Sequence, residues 1–207
     1  MDIAIIGAGN VGTALAGALS RAGHHVTISA SHPEHAVQAA EKTGTGSAGT
    51  NQEAIAAGDV VILAVPGTAF DAIVGEVGNE LAGKVVVDVS NRPTPDPSGP
   101  GTSAAEELQA RLPGANVVKA FNTAFATRQA DPNVGGVAAD GFVAGEDGDA
   151  KQTVLDLVES IGFRPVDAGS LAAARTLEGM AWLNINRAMQ GGTWQDAWVI
   201  LGPDSRS

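Results

Sequence analysis

Short apolar runs alternate with stretches of helical periodicity along this chain, and the alternation sets the fold class. Ile3 to Ile6 is an apolar run broken by glycine. An alanine-rich helical pattern follows at once, with Leu15 and Leu19 four apart on one face and Gly23 as its stop. A second strand is expected over His25 to Ser29, then a helix from about Pro33 to Lys42. The glycine-rich stretch from Thr43 to Thr50 is a weakly patterned strand candidate, and Asn51 is the expected cap of a short helix ending near Gly58. Asp59 to Pro66 and Lys84 to Ser90 read as continuous apolar strands, as in a parallel sheet buried on both faces, with a helix over about 68–81 between them. Ser103-Ala-Ala-Glu106 is a capping box opening a helix to about Leu112, and Asn116 to Phe121 is the sixth strand.

After residue 125 the pattern changes. Short strands over 141–145 and 163–169 flank a helix over 149–161. Leu171, Ala174, Leu177, Ala181, Ile185 and Ala188 then share one face of the longest helical pattern, 171–190, and Met180, Trp182 and Met189 widen its apolar girth. The pattern predicts an α/β protein in two parts. Residues 1–125 form a Rossmann-type doubly wound parallel sheet that binds a dinucleotide. Residues 126–207 form a small C-terminal α/β extension packed on it, closing the cofactor cleft and ending in a long apolar helix. A helix that apolar needs cover, which predicts a homodimer through it.

The first strand-to-helix turn reads Gly7-Ala8-Gly9-Asn10-Val11-Gly12, a G-x-G-x-x-G in the context that gives it meaning. Gly7 permits the tight turn, Gly9 lets backbone approach a pyrophosphate, and Gly12 lets helix pack on strand. The helix N-terminus offers free N–H groups and positive partial charge to phosphates. The competing reading is that these glycines serve packing alone. At the end of the second strand an NAD site usually carries a carboxylate for the ribose. Here the chain runs Ser29-Ala30-Ser31-His32-Pro33 with no carboxylate before Glu34, which favours NADP, its 2′-phosphate meeting Ser31 and His32 with help from His35 or Arg21. Ser31 is equally suited to cap the next helix. The loop Val65-Pro66-Gly67 lies at a carboxyl strand end, where ligands of open α/β sheets bind. The proline-rich segment from Arg92 to Thr102 is either a connector or the rim of the site.

Charge and composition narrow the partners. A net charge of −11 excludes nucleic acid, which needs a basic footprint, and requires an anionic cofactor to be held by backbone dipoles and a few local cations. No apolar stretch is long enough to span a bilayer and no signal pattern precedes the first strand, so a cytoplasmic protein without membrane contact is expected. The chain has no cysteine and no tyrosine, its four histidines cluster around the second strand, and no metal-ligand spacing occurs. The helix over 171–190 carries Arg175 and Arg187 but no lysine, unlike a β-hydroxyacid dehydrogenase. A dinucleotide loop without a general acid or base suits hydride transfer between two cofactors, which depends on positioning more than on proton chemistry.

The glycine loop, Val117-Val-Lys-Ala-Phe-Asn-Thr123, and Asp167-Ala-Gly-Ser-Leu-Ala-Ala-Ala-Arg175 followed by Leu177-Glu178 make the chain resemble a known family. It is similar to the NADPH-dependent reductases of the deazaflavin coenzyme F420, and also to the cytosolic reductase domain of the six-transmembrane metalloreductases. The resemblance implies NADP(H) with its phosphates on Ala8 to Gly12 and its 2′-phosphate near Ser31 and His32, with Ser29 also counted among the cofactor-binding residues. Where the family usually carries Ser-Arg, this chain reads Ala30-Ser31-His32. The nicotinamide would lie across Ala64, Val65 and Pro66 toward Asn122, Thr123 and Ala124, with coenzyme F420 stacked on it. Asn91, Arg92 and the Gly169-Ser170-Leu171 turn would be close by. The second ring would be F420 first, FMN or FAD second. A flavin or small-carbonyl reductase and a non-catalytic NADP-binding regulator remain the alternatives.

Overall fold

The computed structural model describes residues 1–45, 47–92, 101–146 and 148–202. The first half of the chain alternates β1 (Asp2–Ile6), α1 (Asn10–Arg21), β2 (His25–Ser29), α2 (Pro33–Thr43), β3 (Ser47–Gly49), α3 (Asn51–Ala57), β4 (Val60–Leu63), α4 (Phe70–Val77), β5 (Val85–Asp88), α5 (Ala104–Arg111) and β6 (Asn116–Lys119). These strands lie in the order β3-β2-β1-β4-β5-β6 and are all parallel. That is the Rossmann order, and the direction of winding reverses between β1 and β4, where a crevice must open at the carboxyl ends.

Alternation along each strand sends its side chains to two separate cores. Ile3 and Ile5 of β1 pack with Leu15 and Leu19 of α1, whereas Ala4 and Ile6 pack with Ile55 of α3 and Phe70 of α4. All of these are 1% exposed or less, and burying each large one contributes about 1.5–3 kcal/mol. Both faces of the central strands are therefore covered, which is why their sequences are apolar without a break.

The rest of the chain extends the same sheet. After α6 (Ala126–Ala130) and a small hairpin of β7 (Asn133–Val134) and β8 (Val137–Ala138), β9 (Asp140–Gly145) returns beside β6. It runs antiparallel, with Lys119 opposite Ala144. Through α7 (Gly148–Ser160) the chain reaches β10 (Arg164–Gly169), parallel to β9 and at the sheet edge. A single 3-10 turn, Leu171–Ala173, leads into α8 (Ala174–Met189).

The expectation of a long apolar final helix is corrected here. α8 has 16 residues and is amphipathic. Ala174, Leu177, Ala181 and Ala188 face inward, as the periodicity predicts, but Glu178 and Asn184 are buried among them. Arg175, Asn186 and Arg187 keep the rest polar. The helix covers one flank of the sheet and has water on the other, so it needs only one apolar stripe. It also does not end the fold, because residues 190–202 run back along α6 and pin themselves to β9, Asp140 N donating to Trp198 O (2.8 Å) and Ile200 N to Asp140 Oδ2 (2.5 Å). Among the described residues no helix is long and apolar enough to cross a membrane.

Helix starts differ from expectation in two places. Thr50, not Asn51, caps α3, in a capping box with Glu53. Asn51 is turned away, accepting from Ser29 Oγ (2.7 Å) and donating to Glu76 Oε2 (2.9 Å). Residue His32, not Ser31, holds the cap position of α2, and it makes no side-chain cap bond. The Ser103–Glu106 capping box forms as predicted. Of the proline-rich stretch, residues 93–100 lie outside the described residues.

Candidate active site

The three glycines of the first turn answer to three different constraints. Gly7 has φ +114°, and a Cβ there would sit 2.4 Å from Ala64 O. At Gly12 a Cβ would lie 1.9 Å from Gly7 O, so the helix seats against the turn only without a side chain. Gly9 is different: its φ is −73° and a Cβ would meet nothing within 4 Å. Protein packing therefore makes no demand for glycine at position 9, and the space above it is open to a ligand.

That space faces the start of α1. The first intrahelical bond runs from Thr13 N to Gly9 O (2.9 Å), which leaves the N–H groups of Asn10, Val11 and Gly12 without helical acceptors. No side chain caps this end and its first turn holds no acidic residue. The geometry fits a pyrophosphate.

A cleft of about 800 Å³ runs from this point along the switch between β1 and β4. Gly7, Ala8 and Gly9 form one wall and Ala64, Val65 and Pro66 the other; Ser31, His35 and Thr50 stand at the far end. Ser29 lies beneath this cleft, fully buried, its hydroxyl given to Asn51. His32 is exposed and 3.9 Å from the Glu34 carboxylate, and it does not line the cleft; His35, which does, meets His32 edge-on.

At the opposite end of the glycine loop a smaller cavity of about 180 Å³ opens between Val11, Val89 and Asn91 on one side and Ile185 and Trp194 on the other. Asn122, Thr123 and Ala124 supply its floor, and no titratable side chain among the described residues lines it. Its walls are rigidly tied. Asn122 Nδ2 donates to Asn91 Oδ1 (2.9 Å), and Asn184 Nδ2 from α8 donates to Thr123 O (3.2 Å). Phe121, at φ +62°, is the one non-glycine residue in the left-handed region among those described, a conformation that costs about 1–3 kcal/mol. Gln129, buried, holds it by donating from Nε2 to Phe121 O (3.1 Å) and Ala124 O (3.1 Å). The turn at Gly169-Ser170-Leu171 lines neither cavity.

Behind that floor sits a buried ionic cluster. Lys119 ends β6 directly opposite Asp88 of β5. Its ammonium donates to Asp88 Oδ2 (2.8 Å), Ser90 O (2.5 Å) and Glu178 Oε1 (3.1 Å). The same Glu178 oxygen accepts from Ala104 N at the start of α5 (2.8 Å). All three N–H donors of the lysine are spent, so it ties β5, β6, α5 and α8 together and offers no proton to a ligand. This cluster escaped the sequence reading. The signal was there: a lysine inside the apolar strand Val117-Val118-Lys119-Ala120 can only be buried with anionic partners, and Asp88 interrupts a neighbouring strand at the same level. Glu178 has no such signal, because it comes from another part of the chain.

Fold and crevice together define a dinucleotide-dependent oxidoreductase of the Rossmann type. Residues 2–92 match the family profile described as NADP oxidoreductase coenzyme F420-dependent. Over 209 residues the chain is 34% identical to the F420-dependent NADP reductase of Methanothermobacter marburgensis, covering 90% of this chain and 92% of that one. The chain belongs to the F420-dependent NADP reductase family. It is also 32% identical to rat metalloreductase STEAP3 over 85% of its own length, but it spans only 35% of that protein. A crystal structure of an Arthrobacter protein provisionally named as an F420-dependent NADP reductase superposes with a TM-score of 0.84 at 29% identity, covering 97% of this chain and all (100%) of that one.

Proposed function

We propose that this protein transfers hydride between NADP(H) and a deazaflavin of the coenzyme F420 type, whose ring lies against the nicotinamide. The observation that carries the reading is the cavity at Asn122. It is apolar, rimmed by amides, lined by no titratable group among the described residues, and it meets the dinucleotide loop at Val11. When bound, the two cofactors would supply the donor and acceptor carbons, with the accompanying proton coming from solvent. The protein's part is to bind the two rings and orient them.

In this reading Ala8 to Gly12 hold the pyrophosphate, Ser31 and His35 face the 2′-phosphate, and Ala64 to Pro66 carry the nicotinamide toward Asn91 and Asn122 to Ala124. Ser29 acts indirectly, through Asn51. The segment after residue 125 closes the site by walling the ring cavity with α8 and Trp194. A homodimer remains part of the proposal on a different ground from helix apolarity: α8 exposes Leu183 (51%) and Met189 (71%) on its outer side. Light scattering would give 20.7 kDa for a monomer or twice that for the dimer.

The test is anaerobic mixing of the protein with NADPH and oxidised F420, FMN or FAD in parallel. Bleaching of the deazaflavin absorbance with little reduction of the flavins is the expected result. Reduction of FMN or FAD alone would overturn the acceptor assignment, and tight NADP binding with no turnover of any ring would make the protein a nucleotide-binding regulator.

A further inference from the structure

A second large cleft, of about 960 Å³, runs along the other side of α1. Thr13, Gly17 and Arg21 line it from α1 and His35, Gln38 and Lys42 from α2, each set repeating at helical spacing on one face. It shares Phe125, Ala126 and Trp194 with the ring cavity at one end, and Ala8 and Gly9 with the dinucleotide cleft. A ligand seated in the ring cavity can therefore continue into it without leaving the protein surface.

Its charge is the opposite of the molecule's. The chain carries 23 acidic residues against 12 lysines and arginines, yet no carboxylate among the described residues lines this cleft. Arg21 is fixed at the wall by donating from Nη2 to Ala130 O (2.8 Å), and neither it nor Lys42 has a carboxylate partner among the described residues. The small residues Ala14, Gly17 and Ala39 leave room between the helices. From Asn10 to Arg21 the helix rises about 16 Å, long enough for an extended chain.

We propose that this groove binds an acidic side chain carried by the hydride-accepting ring, with Arg21 and Lys42 pairing with its phosphate or carboxylate groups; the inference rests on the deazaflavin reading above. Coenzyme F420 has such a chain, a phosphodiester followed by glutamates, whereas its parent deazaflavin riboside has none. Exposed ion pairs of this kind are individually modest and sensitive to salt.

Steady-state kinetics with NADPH and each of the two acceptors provide the test. For the wild type, KM for F420 lies below that for the riboside and rises toward it with added NaCl. Arg21 lines this groove and not the dinucleotide cleft, contrary to the expectation that it would help hold the 2′-phosphate, so the double variant Arg21→Gln/Lys42→Gln raises KM for F420 about tenfold, with KM for the riboside and for NADPH unchanged. Lys42→Gln alone keeps the Arg21–Ala130 bond and gives about a threefold rise, which guards against misfolding as the cause. Equal KM changes for both acceptors, or no salt effect on either, would overturn the groove. A shift in KM for NADPH instead would overturn it in favour of the 2′-phosphate. No turnover of either deazaflavin overturns the acceptor reading itself, and the groove assignment falls with it.

Discussion

Replacing Lys119 with methionine removes one charge from a cluster that has no other cation. Methionine fills nearly the same volume, so the change isolates the ammonium from its packing. Side-chain exposure is 0% for Lys119 and Asp88 and 6% for Glu178, so water cannot take over the lost bonds. Two carboxylates and the Ser90 carbonyl lose the ammonium at once, the carboxylates keeping one backbone N–H each among the described residues, from Ser90 and Ala104. Removing one partner of a buried pair costs about 3–5 kcal/mol, and two stranded carboxylates put this case toward the upper figure. Over a chain of this size that corresponds to a fall in Tm of roughly 10 °C. Urea titration of the cofactor-free protein, followed by circular dichroism, measures it directly. A second protein, Lys119→Met with Asp88→Asn and Glu178→Gln, separates charge from architecture. If the cost is stranded charge, the triple variant regains more than half of the lost stability. A loss below about 1 kcal/mol in the single variant would refute the argument, as would a triple variant no better than the single one.

Further predictions bear on the site's own geometry. Gly12→Ala pushes a methyl against the Gly7 carbonyl and should cost about 3 kcal/mol or more in a chemical denaturation curve. Gly9→Ala meets no protein atom and should stay within about 1 kcal/mol of wild type, while raising KM for NADPH at least tenfold, about 1.4 kcal/mol of lost binding. Arg175 binds Glu106 through both carboxylate oxygens (2.6 and 2.8 Å) and holds its pKa down to about 2. Because that lies below the value in the unfolded chain, the contact's contribution is full above about pH 4.5 and fades as pH falls toward 2, so Glu106→Gln should flatten acid unfolding in that window. Trp194→Ala removes the wall shared by the ring cavity and the basic groove, and should raise KM for the acceptor more than for NADPH in the coupled assay.

The legible part of this chain was the part whose signals are local. Strand β2 needs nothing beyond five residues, in which buried Val26 and Ile28 alternate with the more exposed His25 and Thr27, and it forms where the pattern puts it. The capping box at Ser103 carries its own geometry in four residues. The glycine loop was equally readable, because each glycine's constraint acts within the turn or one strand away. Misjudged features depended on partners distant in sequence. Asn51 looks like a helix cap until Ser29 and Glu76 are seen to claim its side chain. The apolarity of α8 was overestimated because its two buried polar residues look like outward-facing positions until Lys119 and the Thr123 carbonyl are placed beside them.

The same distinction explains how the site is built. The dinucleotide half of the crevice depends on backbone alone, on N–H groups at the start of α1 and on glycines that leave space. Its other half depends on one topological step, the antiparallel return of β9 beside β6. That step turns the chain back over the carboxyl ends of the sheet, so that α8 can send Glu178 to Lys119 and Asn184 to Thr123. Both contacts hold the loop that carries Asn122, and Gln129 keeps that loop in a conformation its own sequence disfavours. In the function proposed above, orientation of the second ring would therefore be set by buried bonds that touch no ligand. Mutations at Glu178 or Gln129 should accordingly lower kcat by misplacing Asn122, while leaving KM for NADPH, which depends on the backbone half, near its wild-type value.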